Sequence, residues 1–268
     1  MTPDETAHNP AGIDTSVAHN ARVWNYWLGG KDNFQADRDA GDRVRDMFPR
    51  IVDVARADRA FLARAVGFLA GRGLDQFLDV GTGLPTADNT HEVAQRLVPG
   101  ARVVYVDNDP LVLTHARALL TSAGPGVTSY VDADVRRPAQ IIDEAAATVD
   151  LDRPVAVMML GVLNFVLDDD EAATAVGQLM RAVPSGSYLA VSHPTTELGG
   201  EANQQAMEFW NQHATPPITA RGRDRIVRFF DGLELAEPGV VPIARWRPDP
   251  ALHYAPEVAL YAGVARKP

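Results

Sequence analysis

The sequence has 268 residues, no cysteine and a formal net charge of −10. The lack of cysteine excludes disulfides, thiolate nucleophiles and thiolate metal sites. The acidic balance disfavours nucleic acid as a partner, because phosphate binding requires a basic surface. No apolar run approaches the roughly 20 residues of a membrane span, and the N-terminus lacks the pattern of a signal peptide. We therefore expect a cytoplasmic globular protein without a membrane partner.

The first part of the chain predicts helices. Residues 1–12 are polar, contain two prolines and predict disorder. Residues 13–73 predict three helices that form an N-terminal cover. The first would begin at Asp14, Thr15 or Ser16 and place Val17, Ala21, Trp24 and Leu28 at helical spacing. Asp37 would cap the second, and the third would run over 51–70.

From residue 74 onward strands and helices alternate. Apolar strands are predicted at 76–80, 102–106, 127–131, 154–160 and 187–192, each followed by a helical segment or a loop. This alternation predicts an α/β fold with a mostly parallel sheet covered by helices on both faces. We interpret 74–192 as a ligand-binding core, 193–232 as a helical insertion that includes a helix capped by Thr219, and 233–268 as a closing antiparallel hairpin of strands near 237–241 and 258–265. Residues 13–268 would form one domain.

A glycine turn follows the first of these strands and points to a ligand. Asp79 is the last residue but one of the strand, and Gly81 and Gly83 let the backbone adopt positive φ and approach a ligand closely. Ligands of open parallel sheets bind at such turns, and an acidic residue at the tip of the neighbouring strand, here Asp107, is placed to bind ribose hydroxyls. These features predict a cofactor that contains a nucleoside.

The charge around the turn distinguishes between cofactors. The dinucleotide fingerprint has a third glycine where Thr86 stands, and Pro85 removes a backbone N–H that a diphosphate would use. The carboxylate of Asp79 would repel a diphosphate but suits the ammonium group of S-adenosylmethionine. The residues therefore favour S-adenosylmethionine over a nicotinamide dinucleotide.

The sequence resembles the class I S-adenosylmethionine-dependent methyltransferases in the pattern Asp79-x-Gly81-x-Gly83 with Asp107 one strand later. The segment from Asn20 to Phe34, the turn GTGLPT and Trp246-Arg-Pro248 resemble, more narrowly, an actinobacterial group called the S-adenosyl methyltransferases, formerly a domain of unknown function. The resemblance covers about residues 13 to 268. It implies a Rossmann-like sheet of seven strands whose last strand is antiparallel, and it implies no particular substrate.

The resemblance also implies roles for individual residues. The methionine end of the cofactor would lie against Gly81, Thr82, Gly83 and Leu84. The adenosine would contact Asp107 through its ribose and Asn108, Asp134 and Val135 through its adenine. Leu160 and Gly161 would flank the sulfonium. Pro85 departs from the superfamily pattern, and Asp134 could alternatively cap the helix that begins near Pro138.

Other candidate residues lie outside the core motif. Tyr26, Gly29 and Gly30 could form a lid over the cofactor, although the aromatic residues of this segment could simply pack the first helix on the sheet. Asn164 and His193 follow strands at the edge where substrates bind in this architecture, and they are the candidate catalytic residues. His193 could instead be a structural residue of the turn before Pro194. No spacing of His, Asp or Glu resembles a metal site.

The predicted function is an S-adenosylmethionine-dependent methyltransferase that yields S-adenosylhomocysteine and acts on a small-molecule acceptor. The insertion would shape the acceptor pocket. A general base would be needed only if the acceptor atom carries a proton. Because no catalytic group is evident, a protein that senses the cofactor without turning it over is an alternative. A nicotinamide-dependent reductase is a weaker one.

Overall fold

The computed structural model describes residues 14–119, 125–248 and 257–268, so the predicted disorder of residues 1–12 lies outside the described part. The helices are α1 (Asn20–Trp27), α2 (Gln35–Met47), α3 (Ile51–Ala70), α4 (Thr90–Leu97), α5 (Pro110–Leu119), α6 (Pro138–Ala145), α7 (Asp169–Ala182), α8 (Gly200–His213) and α9 (Arg223–Val227). The strands are β1 (Ala18–His19), β2 (Gln76–Val80), β3 (Arg102–Asp107), β4 (Val127–Asp132), β5 (Ala156–Leu160), β6 (Tyr188–Pro194), β7 (Ala214–Thr215), β8 (Glu234–Leu235), β9 (Val241–Pro242) and β10 (Leu260–Arg266). No helix in these ranges is both long enough and apolar enough to cross a membrane.

One central sheet organises the fold. Its strand order is β4-β3-β2-β5-β6-β10-β8, and β9 pairs with β10 outside this path. Strands β2 to β6 are parallel, whereas β10 is antiparallel to both β6 and β8. The residues of β5 from Ala156 to Met159 are fully buried, as expected for a strand with helices on both faces. The sheet confirms the predicted Rossmann-like fold with an antiparallel last strand.

The closing strands differ in position from the prediction. The expected strand near 237–241 is replaced by two short strands, β8 and β9, with a turn between them in which Gly239 has a φ of +84°. Both pair antiparallel with β10. Trp246, just after β9, is fully buried and contacts the rings of Phe61 and Phe68 on α3. The tail thus fixes α3 against the sheet.

The N-terminal cover begins differently from the prediction. Val17 is 39 % exposed, and Ala18–His19 form β1, which pairs in parallel with β7, a strand that follows α8 within the helical insertion. The predicted helix start near Asp14 is therefore wrong, because Ala18–His19 form a strand and α1 begins only at Asn20. The third predicted helix is confirmed as α3. The cover and the insertion are consequently joined by a two-strand ladder.

The insertion also corrects one predicted cap. Helix α9 begins at Arg223 and has Gly222 at its N-cap, so Thr219 does not cap it. The Thr219 N–H instead donates a hydrogen bond to the Asn164 carbonyl (2.9 Å). The insertion is thereby attached to the loop that follows β5.

A buried ion pair connects α1 to α2. Asp37 is fully buried, and its carboxylate accepts hydrogen bonds from the backbone of His19 (2.9 Å) and Phe34 (2.8 Å) and from Arg22 Nε (3.0 Å). Asp37 was the predicted N-cap of α2, but it lies in the first turn of this helix. The N-cap residue is Phe34. One side chain therefore fixes the start of both helices.

We expect Asp37→Ala to lower the free energy of unfolding by about 3–5 kcal/mol, because Arg22 would remain charged, buried and unpaired. The double variant Arg22→Ala/Asp37→Ala should lose less than the sum of the single losses. Urea denaturation measures both quantities. Asp39→Ala, an exposed change on the same helix, is the control and should change stability by less than about 0.5 kcal/mol. If Asp37→Ala and Asp39→Ala lowered the free energy of unfolding equally, this account would be contradicted.

Candidate functional site

A cavity of about 670 Å³ lies over the carboxyl ends of β2, β3, β4 and β5. Its wall is completed by residues of α1, by the facing ends of α2 and α3, by α8, and by the segment after β7. This position follows from the parallel sheet, whose strands all end at the same edge. The cavity is therefore enclosed by both the N-terminal cover and the helical insertion.

The glycine turn after β2 forms part of the cavity floor. Gly81 has a φ of +80°, and a Cβ there would lie 2.5 Å from the Val162 side chain, so only glycine fits. Gly83 has a φ of +66° and open space on its Cβ side. Its N–H donates to Asp107 Oδ2 (2.8 Å). The turn thus exposes its backbone to the cavity and also positions Asp107.

Asp79 lines the cavity but is only 5 % exposed. Thr90 Oγ1 donates a hydrogen bond to its Oδ2 (2.6 Å). Burial raises the pKa of Asp79 from 3.8 to about 6, and the hydrogen bond from Thr90 and the charge of Arg59 oppose that rise. The group is therefore mainly ionised at neutral pH and mainly protonated at pH 5.

Two further carboxylates continue the site across β3 and β4. Asp107 accepts one backbone N–H on each oxygen, from Gly83 and from Asp109 (3.0 Å), and retains lone pairs for further donors. Asp134 accepts hydrogen bonds from Asn108 Nδ2 (3.1 Å) and from the backbone and side chain of Arg136. The hydrogen bonds from Arg136 lower the pKa of Asp134, although partial burial opposes them. Helix α6 has Arg137 at its N-cap, so Asp134 holds the turn before the helix instead of capping it.

The structure brings most of the predicted site residues together. The predicted cofactor-binding and catalytic residues that line the cavity are Asp79, Gly81, Thr82, Gly83, Leu84, Asp107, Asn108, Asp134, Val135, Leu160, Gly161 and Asn164. Asn164 is 6 % exposed, and its Oδ1 has no hydrogen-bond partner among the described residues. Buried acceptors without a donor are rare in native proteins, so this oxygen beside the cavity requires a partner such as a water molecule or a ligand.

Three residues predicted for the lid lie outside the cavity lining. Tyr26 Oη donates to Asp42 Oδ1 (2.7 Å), and Gly29 and Gly30 form the turn after α1. A Cβ at Gly30 would overlap the Asn25 side chain, whose Oδ1 accepts from the Asp32 N–H (3.1 Å). The double glycine therefore closes a loop around Asn25. Trp24, Asn25 and Leu28 line the cavity in place of the predicted residues.

His193 is fully buried on β6 and does not line the cavity. Its Nε2 lies 2.9 Å from Arg221 Nη1, and its Nδ1 lies 2.8 Å from the Pro194 carbonyl oxygen. Burial lowers the pKa of His193 to about 3, with the Arg221 charge acting in the same direction. The imidazole is therefore neutral, and its acceptor nitrogen is occupied by a guanidinium. This placement corrects the expectation that His193 is catalytic and agrees with the alternative of a structural residue.

The sequence reasoning missed Asp58 and Arg59 of α3, both of which line the cavity. Asp58 is 8 % exposed, and its Oδ1 accepts from Ser192 Oγ (2.6 Å). A signal was available, because Asp58 lies at helical spacing from Val54 and Phe61, on the apolar face of α3. A charged residue on a buried face requires a partner or a function.

The residues present fit a cofactor that combines a nucleoside with an amino acid. The turn offers space at Gly83, Asp107 retains acceptor capacity for hydroxyl groups, and Asp79 and Arg59 supply opposite charges at one end. Thr86 Oγ1 is another buried polar atom of the lining without a partner in the described part of the chain.

Comparisons with known proteins agree with this geometry. A family model described as S-adenosyl methyltransferase matches residues 6–268. A DUF574 family protein from Streptomyces avermitilis is 44 % identical, with a TM-score of 0.91 over 96 % of this chain and 100 % of that chain. A candidate methyltransferase from Thermobifida fusca is 41 % identical, with a TM-score of 0.88 over 98 % and 99 %. Magnesium protoporphyrin IX methyltransferase from Synechocystis with bound S-adenosylmethionine shares the fold at 12 % identity, with a TM-score of 0.55 over 97 % and 100 %. No curated protein matches the chain.

We expect Asp79→Asn to stabilise the ligand-free protein at pH 7 by about 3 kcal/mol, the equivalent of the raised pKa. The stability that protonated Asp79 contributes is present below pH 3.8 and lost as pH rises through about 6. The difference between the two proteins should therefore vanish below pH 4. Urea denaturation at several pH values measures it, with Asp132→Asn, an exposed change, as control. If Asp79→Asn were less stable than the parent at pH 7, the conclusion that burial raises the pKa of Asp79 would be refuted.

Proposed function

The chain belongs to the S-adenosyl methyltransferase family and is an S-adenosylmethionine-dependent methyltransferase, and on this premise we propose that it methylates a small molecule bound in the cavity. The observation that supports this proposal most directly is the enclosure of the cavity by the N-terminal cover and α8. A volume of about 670 Å³ lies in the range typical of small-molecule sites. The acceptor would have to fit inside this enclosure.

We assign the methionine end of the cofactor to Asp79 and Arg59. The ionised carboxylate of Asp79 would bind the ammonium group, and the Arg59 guanidinium would bind the carboxylate. Arg59 Nη2 already donates to the Ala87 carbonyl (2.9 Å), which fixes its position next to the glycine turn. The backbone at Gly81 and Gly83 would then lie along the aliphatic part of the cofactor.

We assign the adenosine end to the tips of β3 and β4. The carboxylate of Asp107 would accept hydrogen bonds from the ribose hydroxyls, because the Gly83 and Asp109 N–H groups leave lone pairs free. Asp134 would accept from the adenine amino group, and the Val135 N–H would donate to the ring. The pairing with Arg136 supports this role, since it keeps Asp134 ionised and therefore an acceptor.

When bound, the cofactor supplies an electrophilic methyl group on a cationic sulfur. The protein must then align the acceptor atom with that group, and orientation alone can contribute about 7–11 kcal/mol to a bimolecular reaction. Leu160 ends β5, a strand in the middle of the sheet, and Gly161 follows it; both line the cavity. We propose that they flank the sulfonium and that Asn164, three residues later, contacts the acceptor.

Charge supports a small molecule over nucleic acid as the acceptor. In the described lining, Arg59 and Arg136 are outnumbered by acidic side chains that include Asp109, Asp168 and Glu171. The whole chain carries a net charge of −10. A polyanion would be repelled both at the surface and at the cavity.

We expect Asp107→Ala to weaken binding of S-adenosylhomocysteine by about 10- to 100-fold, because two hydrogen bonds to a charged acceptor would be lost. Isothermal titration calorimetry at pH 7.5 measures the dissociation constant. The control is Asp132→Ala, which changes the residue paired with Asp107 on β4 but lies outside the cavity. Equal affinity in Asp107→Ala and the control would refute the assignment.

We also expect the affinity for S-adenosylhomocysteine to fall as pH decreases through about 6 in the parent protein, because Asp79 becomes protonated. Asp79→Asn should bind more weakly at pH 7.5 and show a flatter pH profile. Calorimetric titrations between pH 5 and 8 test this expectation. A variant with the same profile as the parent would show that another group controls binding.

A further inference from the structure

Charge is unevenly distributed over the cavity wall. Within the part of the chain that the structure describes, the charged residues of the lining lie at the carboxyl ends of β2, β3 and β4, on α3 and at the start of α7. In the same ranges, the lining from α1, from α2 and the residue after it, from α8 and from the paired ends of β6 and β10 carries no charge. We call this second part of the wall the apolar chamber, and it includes Trp27, Phe48, Ala206, Met207, Trp210 and Leu260.

The pieces of the apolar chamber are in contact with one another. A Cβ at Gly199 would lie 3.0 Å from the Asn203 side chain and 3.2 Å from both the Phe48 ring and the Ala259 Cβ. The end of α2, the start of α8 and the start of β10 therefore meet at Gly199. The apolar chamber is thus one continuous wall rather than a set of separate apolar residues.

The side-chain N–H groups of this wall are bonded to the protein itself. Trp27 Nε1 donates to a backbone carbonyl of α2 (3.1 Å). Trp210 Nε1 donates to the Pro216 carbonyl (2.9 Å), and Asn203 Nδ2 donates to the Thr195 carbonyl (2.8 Å). These donors are therefore occupied, and an anionic group in the apolar chamber would find none of them free.

The nearest charged residues of α3 are also engaged elsewhere. Arg59 donates to the Ala87 carbonyl (2.9 Å) beside the glycine turn, at the end of the cavity assigned to the methionine part of the cofactor. Asp58 is buried and accepts from Ser192 Oγ (2.6 Å), and Arg59 contributes a favourable charge to it. A charged group of a ligand in the apolar chamber would therefore be desolvated without a free partner, which is strongly unfavourable.

We propose that the apolar chamber binds the body of the methyl acceptor and that this acceptor is an uncharged, apolar molecule. The proposal rests on the proposed function, because a methyltransferase must hold a second substrate beside its cofactor. The cofactor assignment uses the charged part of the wall and leaves the apolar chamber for the acceptor. Selection against charge follows from the wall, whereas the apolar surface supplies the affinity.

Probes that share one body and differ in charge test the inference. The protein saturated with S-adenosylhomocysteine is titrated calorimetrically at pH 7.5 with 2-naphthalenemethanol, 2-naphthoate and 2-naphthylmethylammonium, and in a second series with octanol, octanoate and octylammonium. We expect the alcohol of at least one series to bind about tenfold or more tightly than both of its ions.

A charge introduced into the apolar chamber should reverse this selection. Met207 is half-buried on α8 and lines the cavity. Met207→Lys should weaken binding of the alcohol by about tenfold and strengthen binding of the carboxylate, because the new ammonium group supplies the missing partner. Met207→Gln, which is similar in size but uncharged, should not strengthen binding of the carboxylate. Gln204→Lys introduces the same charge at an exposed position of α8 outside the lining and should leave both affinities unchanged.

The possible results separate the inference from the proposed function. If the parent does not bind S-adenosylhomocysteine, the proposed function fails. If the parent binds it but binds no alcohol, or binds an ion of each series as tightly as the alcohol, the inference about the acceptor is wrong. If Met207→Lys leaves the affinities for the alcohol and the carboxylate unchanged, the probes bind outside the apolar chamber and the inference is also wrong. If both Met207 variants lose affinity for S-adenosylhomocysteine itself while Gln204→Lys retains it, the apolar chamber belongs to the cofactor site, which contradicts the inference as well.

Discussion

The buried carboxylate of Asp79 is the constraint around which the site is built. It lies at the end of a fully buried strand, and one hydroxyl, that of Thr90, contacts its Oδ2. Burial of this charge costs the folded protein stability, as the raised pKa shows. A sequence selected for stability alone would place an apolar residue there. The cost is intelligible if a cationic group pairs with Asp79 when the cavity is filled.

The main features of this arrangement could be predicted from sequence because they depend on short-range patterns. Apolar runs between glycines and prolines identify the strands, and parallel order follows from the helices between them. The role of Gly81 is local as well, since positive φ and contact with Val162 both exclude a side chain. Asp107 could be placed at the cavity because β2 and β3 are neighbours with matched ends.

The remaining features depend on packing between distant segments. His193 follows a pattern typical of substrate-edge residues, but the direction of its side chain is set by Arg221, which enters from the insertion. Asp58 reaches the site because α3 packs against the sheet near the ends of β5 and β6. The two-residue strand β1 has no periodicity to recognise, since its partner β7 lies almost 200 residues later in the chain. The contacts of His193 and β1 leave no signal at the spacing of one helix or strand, whereas the place of Asp58 on the apolar face of α3 is a signal that does not identify its partner.

The ladder between β1 and β7 relates the N-terminal motif, Asn20 to Phe34, to the cavity although most of the motif does not line it. Arg22 and Asp37 fix the start of α1, and Asn25 closes the loop at Gly30. These contacts hold Trp24 and Leu28 over the cavity, while β1 holds the segment that leads to Pro216 and Pro217. This part of the cavity wall is therefore assembled from two segments that stabilise each other. We expect a change in the motif to alter the shape of the cavity even where the changed residue does not line it.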